Sequence, residues 1–189
     1  MSEIPDGWIQ TYTGRQFHPL EPRLEDIDIK DIAWSLSNQC RYNGHCSQFY
    51  SVAEHSVRLS RHCSPENALW GLMHDAPEAY LSDIPRPLKR LPEFRFYKIY
   101  ELQLMQQICR RYGLPLIEPD EIKQLDLKML VTEARDLMSP LHPEWHYKEP
   151  EYEAFPEKIF PFSSEQSYRM FMDRFVELTE AGNSSTTNT

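Results

Sequence analysis

Apolar residues recur at intervals of three and four positions along most of this chain, and no other feature of the sequence restricts the fold as much. Residues with this spacing lie on one face of an α-helix and can pack together into a core. Proline, glycine and capping residues separate the segments that show the pattern, as they do at helix ends. The pattern predicts helices over residues 28–38, 50–63, 66–76, 93–112, 120–138 and 164–181.

This pattern indicates an all-α fold. The length of 189 residues fits one domain with its own core, which we place at residues 28–181. Before it, residues 1–27 form an N-terminal extension in which a small β-hairpin is expected around residues 13–14. Residues 140–161, rich in proline and aromatic side chains, are expected to wrap irregularly, and residues 182–189 are expected to be a disordered tail.

Three local signals define helix boundaries more closely. Ser163 and Gln166 form a predicted capping box at the start of the last helix. Ser64, followed by proline, is predicted to cap the third helix. Pro77 is predicted to break or kink that helix, because it lacks a backbone N–H and clashes with the preceding turn.

Charge and cysteine content narrow the functional class. A net charge of -9 at pH 7 argues against a protein whose affinity comes from neutralising a nucleic-acid backbone. The four cysteines form no CxxC pair, so neither a thiolate zinc site nor a secreted disulfide framework is expected. No stretch approaches the ~20 apolar residues of a transmembrane helix. We expect a cytoplasmic protein with no membrane partner, whose main partner is a small molecule and not a nucleic acid.

Ionisable residues occupy helix positions where an apolar residue is expected. His55 and Asp126 each lie on the apolar stripe of a predicted helix, and His74 follows Trp70 by one turn, with Asp75 beside it. An ionised carboxylate in a dry core is costly unless it is paired or binds a metal. Two imidazoles and two carboxylates together suit one divalent transition metal, such as Mn, Co, Zn, Fe or Ni.

Simpler explanations exist for each of these residues. A lone histidine on an apolar face, such as His55, is more often a core histidine with satisfied hydrogen bonds than a metal ligand. Asp75 with Glu78 three positions later matches a capping box at a helix restart. Asp126 also fits a salt bridge to a buried basic residue, and Glu78 fits a solvated position. The adjacent His74–Asp75 pair, together with His55 and Asp126 on separate inward helical faces, favours the metal site.

Three stretches of the sequence resemble a known family: AEHS at 53–56, MHDAPEAYLSDIPRPLK at 73–89 and KQLD at 123–126. They are similar to the HD-domain metal-dependent phosphohydrolases, and most closely to the bacterial and phage branch of 5'-deoxynucleotidases and small deoxynucleoside triphosphate phosphohydrolases. The resemblance extends over about residues 28–138. It implies a helical HD-domain bundle in which one divalent metal is held by His55, His74, Asp75 and Asp126.

The resemblance also implies roles for residues around the metal. Glu78 matches the acid that activates or orients the attacking water, and Asp83 matches a second acid near the reacting phosphate. Arg41 corresponds to an arginine that contacts the substrate phosphate, a role suited to a bidentate guanidinium. The deoxynucleotidases have tryptophan after this arginine, where it shapes the sugar pocket. This chain has Tyr42 there as its candidate substrate-binding residue, so selection against a 2'-hydroxyl is not carried over.

The implied reaction is hydrolysis of a nucleotide by metal-activated water that attacks the alpha phosphorus. A monophosphate would release phosphate, and a triphosphate such as dATP, accompanied by additional Mg, would release tripolyphosphate. Two alternatives stay open: a cyclic nucleotide phosphodiesterase, and a metal-stabilised nucleotide-binding regulator without turnover. The resemblance further implies a homo-oligomer, for which the aromatic residues of 145–162 are a candidate interface. The stretch 43–56 is similar to prophage-type members, which indicates a phage or prophage origin.

Overall fold

The computed structural model describes residues 7–138, 140–142, 144–145 and 153–184, with side chains up to residue 180. The chain is all-α apart from a small N-terminal hairpin, as predicted. The hairpin strands are β1 (Ile9–Gln10) and β2 (Gln16–Phe17). The helices are α1 (Ile29–Asn38), α2 (Val52–His62), α3 (Ala68–Met73), α4 (Glu78–Leu81), α5 (Arg86–Lys89), α6 (Arg95–Tyr112), α7 (Asp120–Leu137) and α8 (Ser164–Ser184).

The N-terminal hairpin is antiparallel and is attached to the first helix. Ile9 lies opposite Phe17, and the turn contains Gly14 with a φ of +83°, a conformation that glycine adopts without strain. The backbone N–H and the hydroxyl of Thr13 donate hydrogen bonds to the carboxylate of Asp31 on α1, at 2.7 and 2.9 Å. These bonds hold the turn of the hairpin against the helical domain.

Local caps define helix boundaries where the sequence predicts them. Asp28 accepts a hydrogen bond from the backbone N–H of Lys30 at the start of α1. The capping box of α8 is confirmed: Ser163 Oγ accepts from the N–H of Gln166 at 3.3 Å, and Gln166 Oε1 accepts from the N–H of Ser163 at 2.9 Å. At the end of α6, Gly113 adopts a left-handed conformation with a φ of +70°.

The predicted cap of the third helix is wrong. The helix α3 begins at Ala68, whereas Ser64 bonds to Glu121 on α7. The hydroxyl and the backbone N–H of Ser64 donate to the Glu121 carboxylate at 2.7 and 2.9 Å, and Asn67 Nδ2 donates to it at 2.6 Å. The hydroxyl of Ser64, which would have capped the helix, is therefore bonded to Glu121, a residue distant in the sequence.

The helix α2 lies at the centre of the bundle and packs against α1, α3, α7 and α8. The surrounding core extends from Phe17 of the hairpin to Phe171 of α8, both fully buried. Other residues on the predicted inner face of α8 are partly buried against the same core: Tyr168, Met172, Phe175 and Leu178. Residues that point inward from α2 therefore lie deep in the protein.

Residues 153–163 follow an irregular path over α7. The N–H of Phe155 donates to Thr132 Oγ1 at 2.8 Å, and the N–H of Ile159 donates to Asp136 Oδ2 at 2.8 Å. Phe155 and Ile159 are buried, so this stretch covers apolar surface of α7. The irregular structure predicted for 140–161 is present from residue 153 onward.

Some sequence predictions extend beyond the described residues. Residues 146–152, which belong both to the predicted wrap and to the candidate interface at 145–162, lie outside them. The helix α8 continues to Ser184, and the remainder of the predicted tail, 185–189, also lies outside the described residues. Within the parts of the chain that the structure describes, no helix combines the length and apolarity needed to cross a membrane.

The close approach of α3 to α2 depends on Gly71. A β-carbon on this residue would lie 2.5 Å from Sγ of Cys63 and 3.0 Å from Cδ2 of Leu59. We therefore expect Gly71→Ala to lower the free energy of unfolding by about 1–3 kcal/mol through overpacking. Urea denaturation measures this change.

A Cys63→Ala background provides the control, because it removes the atom nearest to the added methyl group. The cost of Gly71→Ala should be smaller in this background, and a double-mutant cycle gives the difference as a coupling energy. An equal cost in both backgrounds would show that the close contact with the thiol is not the cause.

Candidate metal centre

Three parts of the bundle bring the four predicted metal ligands together. His55 lies in the middle of α2, and Asp126 lies in α7. The turn between α3 and α4 carries His74 and Asp75 and includes Pro77, so the predicted interruption at this proline is confirmed. Because α2 packs against both α3 and α7, side chains from all three parts reach one point.

Donor atoms of His55, His74 and Asp75 converge, and Asp126 contacts His55 at the edge of this cluster. Nε2 of His55 lies 3.1 Å from Nε2 of His74 and 3.3 Å from Oδ1 of Asp126. Oδ2 of Asp75 lies 3.2 Å from Nε2 of His74 and 3.7 Å from Nε2 of His55. Donor atoms about 2.1 Å from a shared metal, and at right angles to each other, are about 3 Å apart. The spacing of His55, His74 and Asp75 therefore fits three ligands of one divalent cation, and Asp126 lies beside them in contact with His55.

Hydrogen bonds on the far side of each imidazole determine which nitrogen faces the cluster. Nδ1 of His55 lies 2.6 Å from the carboxylate of Glu133, and Nδ1 of His74 lies 2.8 Å from the backbone carbonyl of Gly71. Both partners are acceptors, so each Nδ1 carries the hydrogen. In the neutral rings, the two Nε2 atoms then present lone pairs to each other, an arrangement that either a proton or a metal cation between them would stabilise.

The charges around the cluster favour such a cation. Burial acts to lower the pKa of His74, but the carboxylates of Asp75 and Asp126 raise it to about 9. Burial acts to raise the pKa of Asp126, but the hydrogen bond and the charge of His55 lower it to about 2. The same negative potential attracts a proton and a metal ion, so the two compete for the site.

Glu133 on α7 supports the cluster and was not among the predicted site residues. Its fully buried carboxylate accepts hydrogen bonds from Nδ1 of His55 at 2.6 Å, from Nε of Arg41 at 3.1 Å and from the hydroxyl of Tyr42 at 2.8 Å. Burial acts to raise the pKa of Glu133, but the charges of Arg41 and His55 lower it overall. The carboxylate is therefore ionised and fully paired.

A sequence signal for Glu133 exists. Glu133 lies four residues after Met129 and four residues before Leu137, and both of these apolar residues are buried. The same pattern identifies Asp126, two turns earlier on the same helix, as an inward-facing residue. Applied to the whole of α7, it would have identified both carboxylates.

Arg41 and Tyr42, the predicted substrate-binding residues, lie in a tight turn (Arg41–Gly44) beside the cluster. Nη1 of Arg41 lies 3.5 Å from Oδ2 of Asp75, so the guanidinium joins a predicted metal ligand to Glu133. Tyr42 has a φ of +55°, which is uncommon for a residue other than glycine. The bond from its hydroxyl to Glu133 stabilises this turn next to the site.

Glu78 and Asp83, the predicted catalytic acids, lie at the start of α4 and just after its end. Oε1 of the buried Glu78 accepts from Nζ of Lys89 at 3.2 Å, and Lys89 also donates to Glu101 at 2.8 Å. Oε2 of Glu78 is buried and has no hydrogen-bond partner among the residues that the structure describes. Burial, together with the carboxylates of Asp75 and Asp83, raises the pKa of Glu78 well above its usual range. A carboxyl group in this state is suited to proton exchange with a ligand.

The structure contradicts the two simpler explanations that involve Glu78. The N–H of Glu78 donates to the backbone carbonyl of Asp75 at 3.0 Å and not to its side chain, so the capping box is absent. Glu78 is 6% exposed and is not solvated. The simpler explanations of His55 and Asp126 agree with the structure, because Nδ1 of His55 pairs with Glu133 at 2.6 Å and Nε2 lies 3.3 Å from Asp126.

A cavity of about 790 Å³ opens beside the cluster. This volume lies in the range of small-molecule binding sites. The predicted site residues in its wall are Arg41, Tyr42, Asp75, Glu78, Asp83 and Asp126. Further along, the wall combines basic side chains with apolar ones, among them Arg86, Lys89, Arg90, Ile84, Leu130, Met138 and Trp145.

Removal of the Glu133 side chain should be strongly destabilising. Glu133→Ala would leave the Arg41 guanidinium buried without its main counter-charge, which typically costs about 3–5 kcal/mol. We expect a loss of this size in the free energy of unfolding, measured by urea denaturation of the metal-free protein.

Tyr42→Phe is the matched comparison, because it removes a hydrogen bond to the same carboxylate and keeps both charges. Its expected cost is about 1–2 kcal/mol. Similar losses for Glu133→Ala and Tyr42→Phe would contradict the central role assigned to the buried charge.

The chain is similar to two bacterial proteins. It is 44% identical over 177 residues to the uncharacterized protein YfdR of Escherichia coli, across 92% of this chain and 97% of YfdR. It is 33% identical over 127 residues to an uncharacterized protein of Rhodobacter capsulatus, across 62% of this chain and 64% of that protein. No protein-family model matches the sequence. Because the first similarity extends over almost the whole of both chains, this chain belongs to the family of YfdR.

Proposed function

We propose that this chain is a metal-dependent phosphohydrolase of the HD-domain type, which hydrolyses a nucleotide by attack of water on the alpha phosphorus. The observation that carries the proposal is the pair of imidazole Nε2 atoms that face each other at 3.1 Å. The carboxylates of Asp75 and Asp126 complete a ligand set suited to Mn, Co, Zn, Fe or Ni. When bound, such a cation supplies Lewis acidity and offsets the negative charge of a phosphoryl group.

The residues next to the ligands supply the remaining functions of a hydrolytic site. Glu78 accepts a proton from the attacking water, and Lys89 holds its carboxylate in place from 3.2 Å. Arg41 orients the phosphate and offsets the charge that develops on it. Asp83, in the wall of the same cavity, acts as a second acid near the reacting phosphate.

The cavity supports a nucleotide as the substrate. Arg86 and Arg90 offer positive charge to phosphate oxygens beyond the cluster, while Ile84, Leu130 and Trp145 offer apolar surface to a base. A monophosphate would leave phosphate as the product and a triphosphate, with additional Mg, would leave tripolyphosphate. Identification of the product, phosphate or tripolyphosphate, therefore distinguishes a monophosphate substrate from a triphosphate substrate.

Metal binding is the first expectation of this proposal. After treatment with a chelator and exposure to Mn, Co or Zn, the chain should retain about one ion, as expected for one set of four ligands. Metal at 100 times its Kd should raise the free energy of unfolding by about 2.7 kcal/mol. Elemental analysis and thermal unfolding measure the two effects.

Two variants test whether the bound ion occupies the proposed site. His74→Ala and Asp126→Ala should each lose most of the bound metal. Asp173→Ala removes an exposed carboxylate on α8 and should bind metal as the wild type does. Full metal content in both site variants would place the ion elsewhere.

Turnover is the second expectation. The metal-loaded chain should release phosphate or tripolyphosphate from members of a panel of deoxy- and ribonucleoside mono- and triphosphates. Glu78→Gln removes the proton acceptor with little change in shape, so kcat should fall by about 10²–10⁴-fold. The metal content of this variant should stay unchanged, and Asp173→Ala serves again as the control.

The outcomes separate the proposal from its alternatives. Bound metal without turnover of any nucleotide would identify a metal-stabilised binding protein. Hydrolysis restricted to cyclic nucleotides, added to the same panel, would identify a phosphodiesterase. Full activity of Glu78→Gln would refute the role assigned to that residue.

A further inference from the structure

The backbone between the two proposed acids is strained at Ser82. This residue has a φ of +68° and a ψ of 153°, a combination found essentially in glycine. Other residues keep such a conformation where surrounding contacts impose it, and these places cluster at functional sites. Ser82 directly precedes Asp83 and follows the short helix that Glu78 begins.

Gln39, just after α1, connects the two ends of this segment. Its Nε2 donates to the backbone carbonyl of Glu78 at 2.9 Å, and its Oε1 accepts from the N–H of Asp83 at 3.3 Å. Gln39 is itself held by Ser35 on α1, whose hydroxyl accepts from Nε2 at 3.1 Å. The amide therefore bridges the backbones of both proposed acids.

Tyr97 on α6 holds the strained residue from the other side. Its hydroxyl donates to the backbone carbonyl of Ser82 at 2.6 Å. Its ring lies against Lys89, with Nζ 5.3 Å from the ring centroid. Because Lys89 donates to Glu78, Tyr97 contacts both the backbone of the segment and the partner of the Glu78 carboxylate.

We infer that Gln39 and Tyr97 are positioning residues, which keep Ser82 in its strained conformation and thereby set the carboxylates of Glu78 and Asp83 in the cavity wall. Rotation of the backbone at Ser82 would move Asp83 relative to Glu78, because that residue links the helix to Asp83. A displacement of about 1 Å is enough to cost up to about a hundredfold in rate. The inference rests on the proposed function, in which these two acids act together.

The test uses the full, metal-loaded chain and its best nucleotide substrate. Tyr97→Phe removes the hydroxyl and keeps the ring against Lys89, and Gln39→Leu removes the amide bridge. In both variants we expect kcat to fall about tenfold or more, with KM and the bound metal unchanged. Tyr100→Phe, the same substitution on the same helix, should leave kcat unchanged.

Ser82→Gly separates positioning from a merely structural role. Glycine adopts this conformation without strain, so the unfolding temperature should not fall. The segment gains conformational freedom, however, and kcat should fall. If these contacts served stability alone, a variant as stable as the wild type would keep the kcat of the wild type. A stable variant with a lower kcat therefore supports positioning.

The results distinguish a failure of this inference from a failure of the proposed function. Wild-type kcat in both Tyr97→Phe and Gln39→Leu would overturn the inference and leave the proposed function intact. A fall in kcat matched by an equal loss of bound metal would also overturn it, because the effect would then lie at the metal. A wild-type chain that binds metal but turns over no nucleotide would overturn the proposed function, and the inference with it.

Discussion

The buried carboxylate of Glu133 is the interaction on which the architecture of the site depends. An ionised group without exposure to water is unfavourable unless opposite charge and hydrogen bonds compensate it. Arg41, Tyr42 and His55 provide this compensation, and they come from a tight turn and from the central helix α2. The same bond keeps the hydrogen on Nδ1 of His55, so it also determines that Nε2 faces the cluster.

Packing and chemistry are coupled at a second point, Gly71. The absence of a side chain lets α3 lie close to α2, which brings His74 within 3.1 Å of His55. The carbonyl of the same residue accepts from Nδ1 of His74 at 2.8 Å and so fixes the orientation of the second imidazole. The geometry of the candidate metal site is therefore a consequence of how two core helices approach each other.

Features that depend on neighbouring residues were predicted correctly, whereas some contacts between residues distant in the sequence were not. The break at Pro77, the end of α6 at Gly113 and the capping box of α8 were predicted because each depends on neighbouring residues. Ser64 was misassigned because its partner, Glu121, lies 57 residues away. Glu133 was missed although its spacing was informative, since spacing indicates which way a residue faces but not how deeply its helix is buried.

The sequence by itself determined the all-α class, most helix boundaries and three residues whose donor atoms converge, His55, His74 and Asp75. It could do so because helical periodicity and capping are local, and because an ionisable group on an apolar stripe is unfavourable without a partner. The tertiary structure alone decided that Glu133 joins Arg41 and His55, that Lys89 pairs with Glu78, and that Gln39 and Tyr97 bond to the backbone on and around Ser82. Those contacts join residues distant in the chain, and their free energies depend on burial and distance, which exist only once the helices have packed.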